Sequence, residues 1–354
     1  MKTAAFKLTA ITDVGLVRKN NEDNFIVCPD LQSSEWIIPQ NDHEPIELSS
    51  HGCVFAVADG MGGLNAGEVA SAIAIEQVRR SFTQADLDSV SQSDKKIEKF
   101  LKSVITDADK AIKKHVKESP DSKGMGTTLI VGWVVMDRVH ICWCGDSRAY
   151  IFNTTSGLTR FSKDHSYVQE LVDKGFLDPD LAFDHPDSNI ITRCLGDFQD
   201  SASPDYKNYY LQPGDFVLLC SDGLCGYCRD EEIQSVMFDN YTDFLECSRQ
   251  LIRHALDAGG SDNVTLTLFE LSEKKGISDT KSNQGNNENI ESDEDKTSET
   301  TQVTLEPKST KSSKVKVLIT FIFLIVLAYL YLKYWKHFDF IGCIFQRLAH
   351  LTPM

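Results

Sequence analysis

Residues 1–272 alternate between short apolar runs and longer stretches whose apolar side chains recur at helical spacing. AVADG (56–60), TTLIVGWVV (127–135), VHICWCGDS (139–147), FVLLCSDG (216–223) and NVTLTLFEL (263–271) have strand length and strand composition. Residues 66–82, 95–117, 165–175 and 241–256 carry the three-to-four-residue repeat of amphipathic helices. Strands that follow one another without an intervening helix, as from Thr127 to Phe152, favour antiparallel pairing. The block therefore predicts one α+β layered domain without internal repeats.

The pattern changes after residue 272. Residues 273–313 contain almost no large apolar side chains, so they cannot offset their ordering entropy and predict a disordered linker. VLITFIFLIVLAYLYL (317–332) carries no charge and lies between Lys316 and Lys333. Sixteen residues span only roughly 24 Å as a helix, short of a hydrocarbon core of about 30 Å. Snorkelling lysines and the interfacial Tyr329, Tyr331, Tyr334 and Trp335 close the gap, and 315–335 reads as one transmembrane helix. A buried core helix would need a surrounding domain, which the linker does not supply. In the tail, 336–354, Ile341, Ile344, Phe345, Leu348 and Leu351 suit a short amphipathic helix or a disordered end.

A net charge of −16 without a basic block argues against nucleic-acid binding and suits cations instead. The N-terminus lacks an apolar core long enough for a secretion signal, so the ten cysteines read as reduced thiols rather than a disulfide scaffold. With a slight lysine excess before the span, this leans toward a cytoplasmic catalytic domain held at the cell membrane by its C-terminal helix.

Candidate chemistry sits where the strands stop. Asp59, Asp146 and Asp222 each follow an apolar run beside a glycine, and Asp262 precedes the last one. Asp and Gly are ordinary turn formers. If the strands lie side by side, however, their ends gather the acids, which then either raise one another's pKa or share cations. Oxygen-only ligands favour Mg²⁺ or Mn²⁺ over zinc. Gly60 lets backbone approach closely. Arg18, shortly before Glu22 and Asp23, offers a planar fork for phosphate oxygens.

GLVRKNNEDNF (15–25), VFAVADGMGG (54–63), AGEVAS (66–71), GMGTTL (124–129), CGDSRAY (144–150), KDHSYVQELVDKG (163–175), NIITRCLG (189–196), VLLCSDGL (217–224) and GGSDNVT (259–265) occur in an order that resembles the bacterial 2C-type (PPM) metal-dependent serine/threonine protein phosphatases. The resemblance spans about residues 5–272. It implies a four-layer αββα sandwich, two antiparallel sheets flanked by helices. It also implies that Asp59 bridges two Mn²⁺ or Mg²⁺ ions and that the Gly60 carbonyl contacts one of them. Asp222 and Asp262 would hold the first ion, Asp23 and Glu22 would organise the second, and Asp146 with Asp222 matches a third position in relatives. Arg18 matches the phosphate clamp. The implied reaction is attack on phosphoserine or phosphothreonine by a water shared between two cations, with no protein nucleophile.

Met61 departs from the eukaryotic pattern, where a His is proposed to protonate the leaving group, and no general acid is assigned. Residues 163–196 resemble the flap beside the active site, a bias on substrate choice or a structural insertion; His165 and His185 receive no catalytic role. The connection 29–51 is long, and its Trp36 and Ile37 suit either a partner or a self-packed loop. Cys225 and Cys228 form a CxxC that reads as helix residues before it reads as a redox switch. The alternative function is a membrane-tethered pseudophosphatase that binds phosphoproteins; every acid position is filled, which favours the enzyme. Expected partners are phosphorylated proteins, among them a membrane-associated serine/threonine kinase.

Overall fold

The computed structural model describes residues 5–36, 45–62, 66–196 and 201–272. The expected linker, membrane span and tail, with Ile37, lie outside the described residues. Among the described residues no helix is long and apolar enough to cross a membrane.

In chain order the strands are β1 (Ala5–Asp13), β2 (Asn24–Cys28), β3 (Ile46–Glu47), β4 (Cys53–Ala58), β5 (Gly60–Met61), β6 (Gly126–Thr127) and β7 (Leu129–Val135). They continue with β8 (Arg138–Cys144), β9 (Arg148–Asn153), β10 (Gly157–Arg160), β11 (Asp205–Tyr210), β12 (Phe216–Cys220) and β13 (Val264–Ser272). The helices are α1 (Ala66–Gln84), α2 (Leu87–Val90), α3 (Asp94–Glu118), α4 (Tyr167–Asp173), α5 (Asp222–Cys225), α6 (Asp230–Asn240) and α7 (Phe244–Asp257).

One sheet runs β10-β9-β12-β13-β1-β3 and the second β11-β8-β7-β4-β2, while β5 and β6 form a small ribbon. Every pairing is antiparallel, as the helix-free stretch from Thr127 to Phe152 predicts.

The layers follow from the period-two alternation of the strands. In β4, Cys53, Phe55 and Val57 point between the sheets and pack with Phe6, Leu8, Ile130 and Phe269. Val54, Ala56 and Ala58 point the other way, into a core shared with α1 and α3. β4 is therefore apolar at every position because both faces are covered. The other sheet repeats the arrangement, with Leu218, Leu266 and Leu268 packed against α6 and α7. The result is the expected four-layer sandwich.

α3 is helical where the spacing predicts it. Ile97, Leu101, Val104, Ala108 and Ile112 form its buried stripe, and the Ser93 side chain accepts from the Lys96 N–H at its start. α1 and α7 also fall where expected, α4 as a shorter helix. The edge strand β11 (DYKNYY) and α6 escaped the pattern reading. β11 has no residue that is fully buried, and α6 buries only Ile233 and Met237, so neither shows a clear apolar period.

Candidate active site

The strand ends do gather the acids. Asp59 leaves β4, Asp146 sits in the β8–β9 turn, Asp222 opens α5 after β12, Asp262 precedes β13, and Glu22 and Asp23 precede β2. The Asp59 carboxyl lies beside that of Asp222 and within electrostatic reach of Asp23 and Asp146. Burial, then the charges of Asp222, Asp23 and Asp146, hold Asp59 well above the usual carboxylate range. Asp146 is raised likewise, by burial and then by Asp222 and Asp164. Burial, opposed by hydrogen bonds from Ser221 and Thr265, pushes Asp23 up to about 8. Asp222 is raised by burial and by Asp262, and Glu22 is raised by burial against the pull of Arg18.

Among the described residues no three His, Cys, Asp or Glu side chains converge as a ready-made metal cage. The acids instead form one close pair, Asp59 and Asp222, with further carboxyls at electrostatic range. Their donor set is all oxygen and suits a hard divalent cation. Gly60 fits the same chemistry, since a Cβ there would stand 2.3 Å from the Gly67 carbonyl oxygen and 2.4 Å from that of Glu22. Only glycine lets backbone crowd this closely beside the acids.

Neighbouring polar side chains fix the frame. Thr128 Oγ1 accepts from the Asp59 N–H at 3.0 Å, and the Thr128 N–H donates to the Asp59 carbonyl at 2.8 Å. Ser221 Oγ donates to Asp23 at 2.7 Å. Asn263 accepts from the Glu22 N–H at 2.8 Å and donates to the Val14 and Asn20 carbonyls at 2.9 and 3.0 Å, which pins the loop that carries Arg18. Gly145, at φ +121° with Thr128 where a Cβ would be, turns the chain so that Asp146 faces the acids.

Arg18 is half-exposed and donates through Nη2 to Asp262 Oδ2 at 2.8 Å; the other Asp262 oxygen accepts from the Asn263 N–H at 2.8 Å. Burial pulls the guanidinium pKa down, but Asp262, Glu22 and Asp222 leave it raised overall. Arg18, Asp146, Asp222 and Asp262 line one end of a groove of about 860 Å³. Met61 follows Gly60 and pairs with Gly126 in the small ribbon, and brings no titratable group.

His165, assigned no catalytic role above, is a buried brace. Its Nδ1 accepts from the Gly145 N–H at 3.1 Å and its Nε2 faces Asp205 at 3.2 Å, tying the flap root to the turn that carries Asp146. Arg148 and Asp164 form a second buried charge group in the groove, with Arg148 Nη2 to Asp164 Oδ2 at 2.9 Å and Arg160 Nη2 to Asp164 Oδ1 at 2.5 Å. The Cys225 and Cys228 thiols are buried, and burial raises Cys228 to about 12. Neither has thiolate character; both pack into the core, Cys225 as the last residue of α5 and Cys228 not in a helix but in the bend before α6. Trp36 packs against the helix-side core, which favours the self-packed loop.

The family model for protein phosphatase 2C matches residues 38–268. The serine/threonine phosphatase Stp of Listeria monocytogenes is 32% identical over 259 residues, 73% of this chain and 93% of that protein. The serine/threonine protein phosphatase PstP of Mycobacterium tuberculosis is 33% identical over 269 residues, 76% of this chain and 46% of that protein. The crystal structure of that PstP matches with a TM-score of 0.62 at 32% identity, over 76% of this chain and all of that one. The catalytic domain of PstP in complex with two manganese ions matches with a TM-score of 0.60 at 30% identity, over 77% of this chain and all of that one.

Proposed function

The chain belongs to the protein phosphatase 2C family, and on that premise we infer that it is a metal-dependent phosphatase of phosphoserine and phosphothreonine in proteins. The observation that carries this reading is the meeting of carboxylates from separate strand ends in one desolvated, mutually repelling group beside Arg18. Such a group is costly unless cations neutralise it.

Asp59, the Gly60 carbonyl, Asp222 and Asp262, with Glu22 and Asp23, would hold two Mn²⁺ or Mg²⁺ ions, and Asp146 with Asp222 would offer a third position. When bound, two such ions acidify water and neutralise charge on the phosphoryl oxygens. The chain's own part is orientation. Arg18 exchanges Asp262 for the substrate phosphate, a switch between two charge-assisted partners of one planar donor. Thr128, Ser221 and Asn263 keep Asp59, Asp23 and the Arg18 loop from drifting as the substrate changes charge. The Met61 position takes no part in proton transfer.

Phosphate release from a phosphothreonine peptide by the full-length protein tests this, with Mn²⁺, with chelator, and in Asp222→Asn. Turnover that needs the metal and vanishes in the variant is expected. Equal turnover in chelator, or in Asp222→Asn, would overturn it.

The location is a second proposal, supported by sequence alone: residues 315–335 anchor the enzyme in the cell membrane with the catalytic domain on the cytoplasmic side. The polar linker would keep the domain near membrane-bound phosphoproteins, such as a receptor-type serine/threonine kinase, and raise its effective concentration there. Recovery of the protein in the membrane fraction, solubilised by detergent but not by high salt, is expected. A wholly soluble protein would contradict it.

A further inference from the structure

The groove that begins at the acids is far larger than a phosphate needs. It continues to a second end walled by Pro179, Ala182 and Phe183 of the flap and by Arg229 and Glu231 at the start of α6. The roots of the flap are held many times over. Trp143 Nε1 donates to the Lys163 carbonyl at 2.8 Å, Arg148 and Arg160 hold Asp164, Leu195 and Thr127 exchange backbone hydrogen bonds, and Asp109 accepts from the Gly196 N–H at 2.9 Å.

The far lobe, residues 176–190, is tied differently. Among the described residues, the one hydrogen-bonded, ionic or ring contact between this lobe and the domain outside the flap is made by Arg229. Its Nη2 donates to Asp184 Oδ2 at 2.5 Å, and its guanidinium carbon lies 4.3 Å from the centroid of the Phe183 ring. Arg229 is fixed in turn, because its N–H donates to Glu232 Oε2 at 2.7 Å in the first turn of α6. The next residue, Asp230, accepts from the Tyr150 hydroxyl at 2.8 Å and faces Arg148, the partner of Asp164 at the flap root. Adjacent residues at one helix start thus brace both the root and the lobe.

We propose that Arg229 is a positioning residue for polypeptide substrates. By clasping Phe183 and Asp184 it sets the width of the groove that receives residues flanking the phosphorylated side chain. It thereby favours phosphoproteins over small phosphate esters, which need only the acid end and Arg18. The inference rests on the phosphatase reading above. An exposed ion pair alone is weak, but a guanidinium stacked on a ring adds to it, and a lobe with one such tie among the described residues responds to its loss.

The test compares steady-state kinetics of the full-length protein with Mn²⁺ on a phosphothreonine peptide and on p-nitrophenyl phosphate. Arg229→Ala raises KM for the peptide roughly five-fold, about the effect of one such contact, and leaves kcat and both constants for the small ester unchanged. Asp184→Ala raises it less, since the Phe183 contact survives, and the double variant is no worse than Arg229→Ala, which already removes both contacts. An unchanged peptide KM, an equal loss on both substrates, or additive losses in the double variant would overturn the clasp while leaving the phosphatase reading intact. A wild-type protein that hydrolyses neither substrate would overturn that reading and the clasp with it.

Discussion

Asp146 and Asp164 line the same groove, and both are withdrawn from water. Burial raises both, yet Asp146 ends well above the ordinary carboxylate range and Asp164 below it. The difference is the company each keeps. Asp164 lies between Arg148 and Arg160, whose two charges, with the hydrogen bonds from Arg148, outweigh desolvation. Asp146 is pushed further up by Asp222 and Asp164, which outweigh the pull of Arg148, and Asp59 and Asp23 are likewise raised by burial and by neighbouring acids. One group is closed by the chain's own cations; the other is left for cations from solution. Buried acids whose charge the fold does not balance are the ones to assign to chemistry.

The sharpest way to break this contrast is Asp59→Asn against Asp164→Asn. Asp59→Asn lowers kcat/KM on the order of 10³-fold while the chelated protein stays folded, since a repelling charge has gone. Asp164→Asn instead costs about 3–5 kcal/mol of stability, because two guanidinium groups lose their buried partner. Urea denaturation beside phosphate release checks both. A folded, active Asp59→Asn or a fully stable Asp164→Asn would erase the distinction.

Removing metal gives a smaller effect with a definite sign. Acids raised in the folded state contribute stability that is complete below their unfolded pKa and lost as pH rises through the folded value, about 8 for Asp23. His140, lowered to about 4 by burial, and His165, lowered likewise, act oppositely, and their contribution is complete above about pH 6.5. Between pH 6.5 and 8 the chelated protein therefore loses about 1.4 kcal/mol per pH unit for each proton released. Saturating Mn²⁺ flattens the profile and raises Tm. Asp164 shows the reverse sign, its contribution fading only as pH falls below about 4. Melting curves at several pH values, with and without Mn²⁺, read both.

Arg18 belongs to both regions, a chain cation on an otherwise open acid. Arg18→Ala lowers kcat/KM roughly 10–100-fold through the lost charged hydrogen bonds to phosphate. It also tightens Mn²⁺, because Asp262 loses its competing partner; unchanged Mn²⁺ affinity in calorimetry would speak against that competition. The smallest effect is expected at Cys225 and Cys228, whose buried, protonated thiols leave activity the same in mild oxidant and in reductant.

Asp59, Asp146, Asp222 and Asp262 were legible in the sequence because each borders an apolar run, a local signal. Their supports were not. Asn263 holds Glu22 across 241 residues and Thr128 holds Asp59 across 69, and no periodicity marks a Thr or Asn whose partner is so distant. The resemblance supplied the metal roles of Glu22 and Asp23, which no apolar run marks. The layering was readable from strands such as β4, apolar at every position, whereas the amphipathic edge β11 and the weakly amphipathic α6 carried too little contrast. Arg229 lay in α6's unread approach, so its reach to Phe183 and Asp184 appears only in three dimensions.

The most direct measurement is calorimetric titration of Mn²⁺ into the full-length protein at pH 7 in two buffers of different ionisation heat. Acids held protonated by burial and by one another must release protons as the cations bind, so the heat should differ between buffers, and Asp59→Asn should reduce that difference. Absence of Mn²⁺ binding, or binding with no proton released, would contradict the assignment of these acids as the metal site.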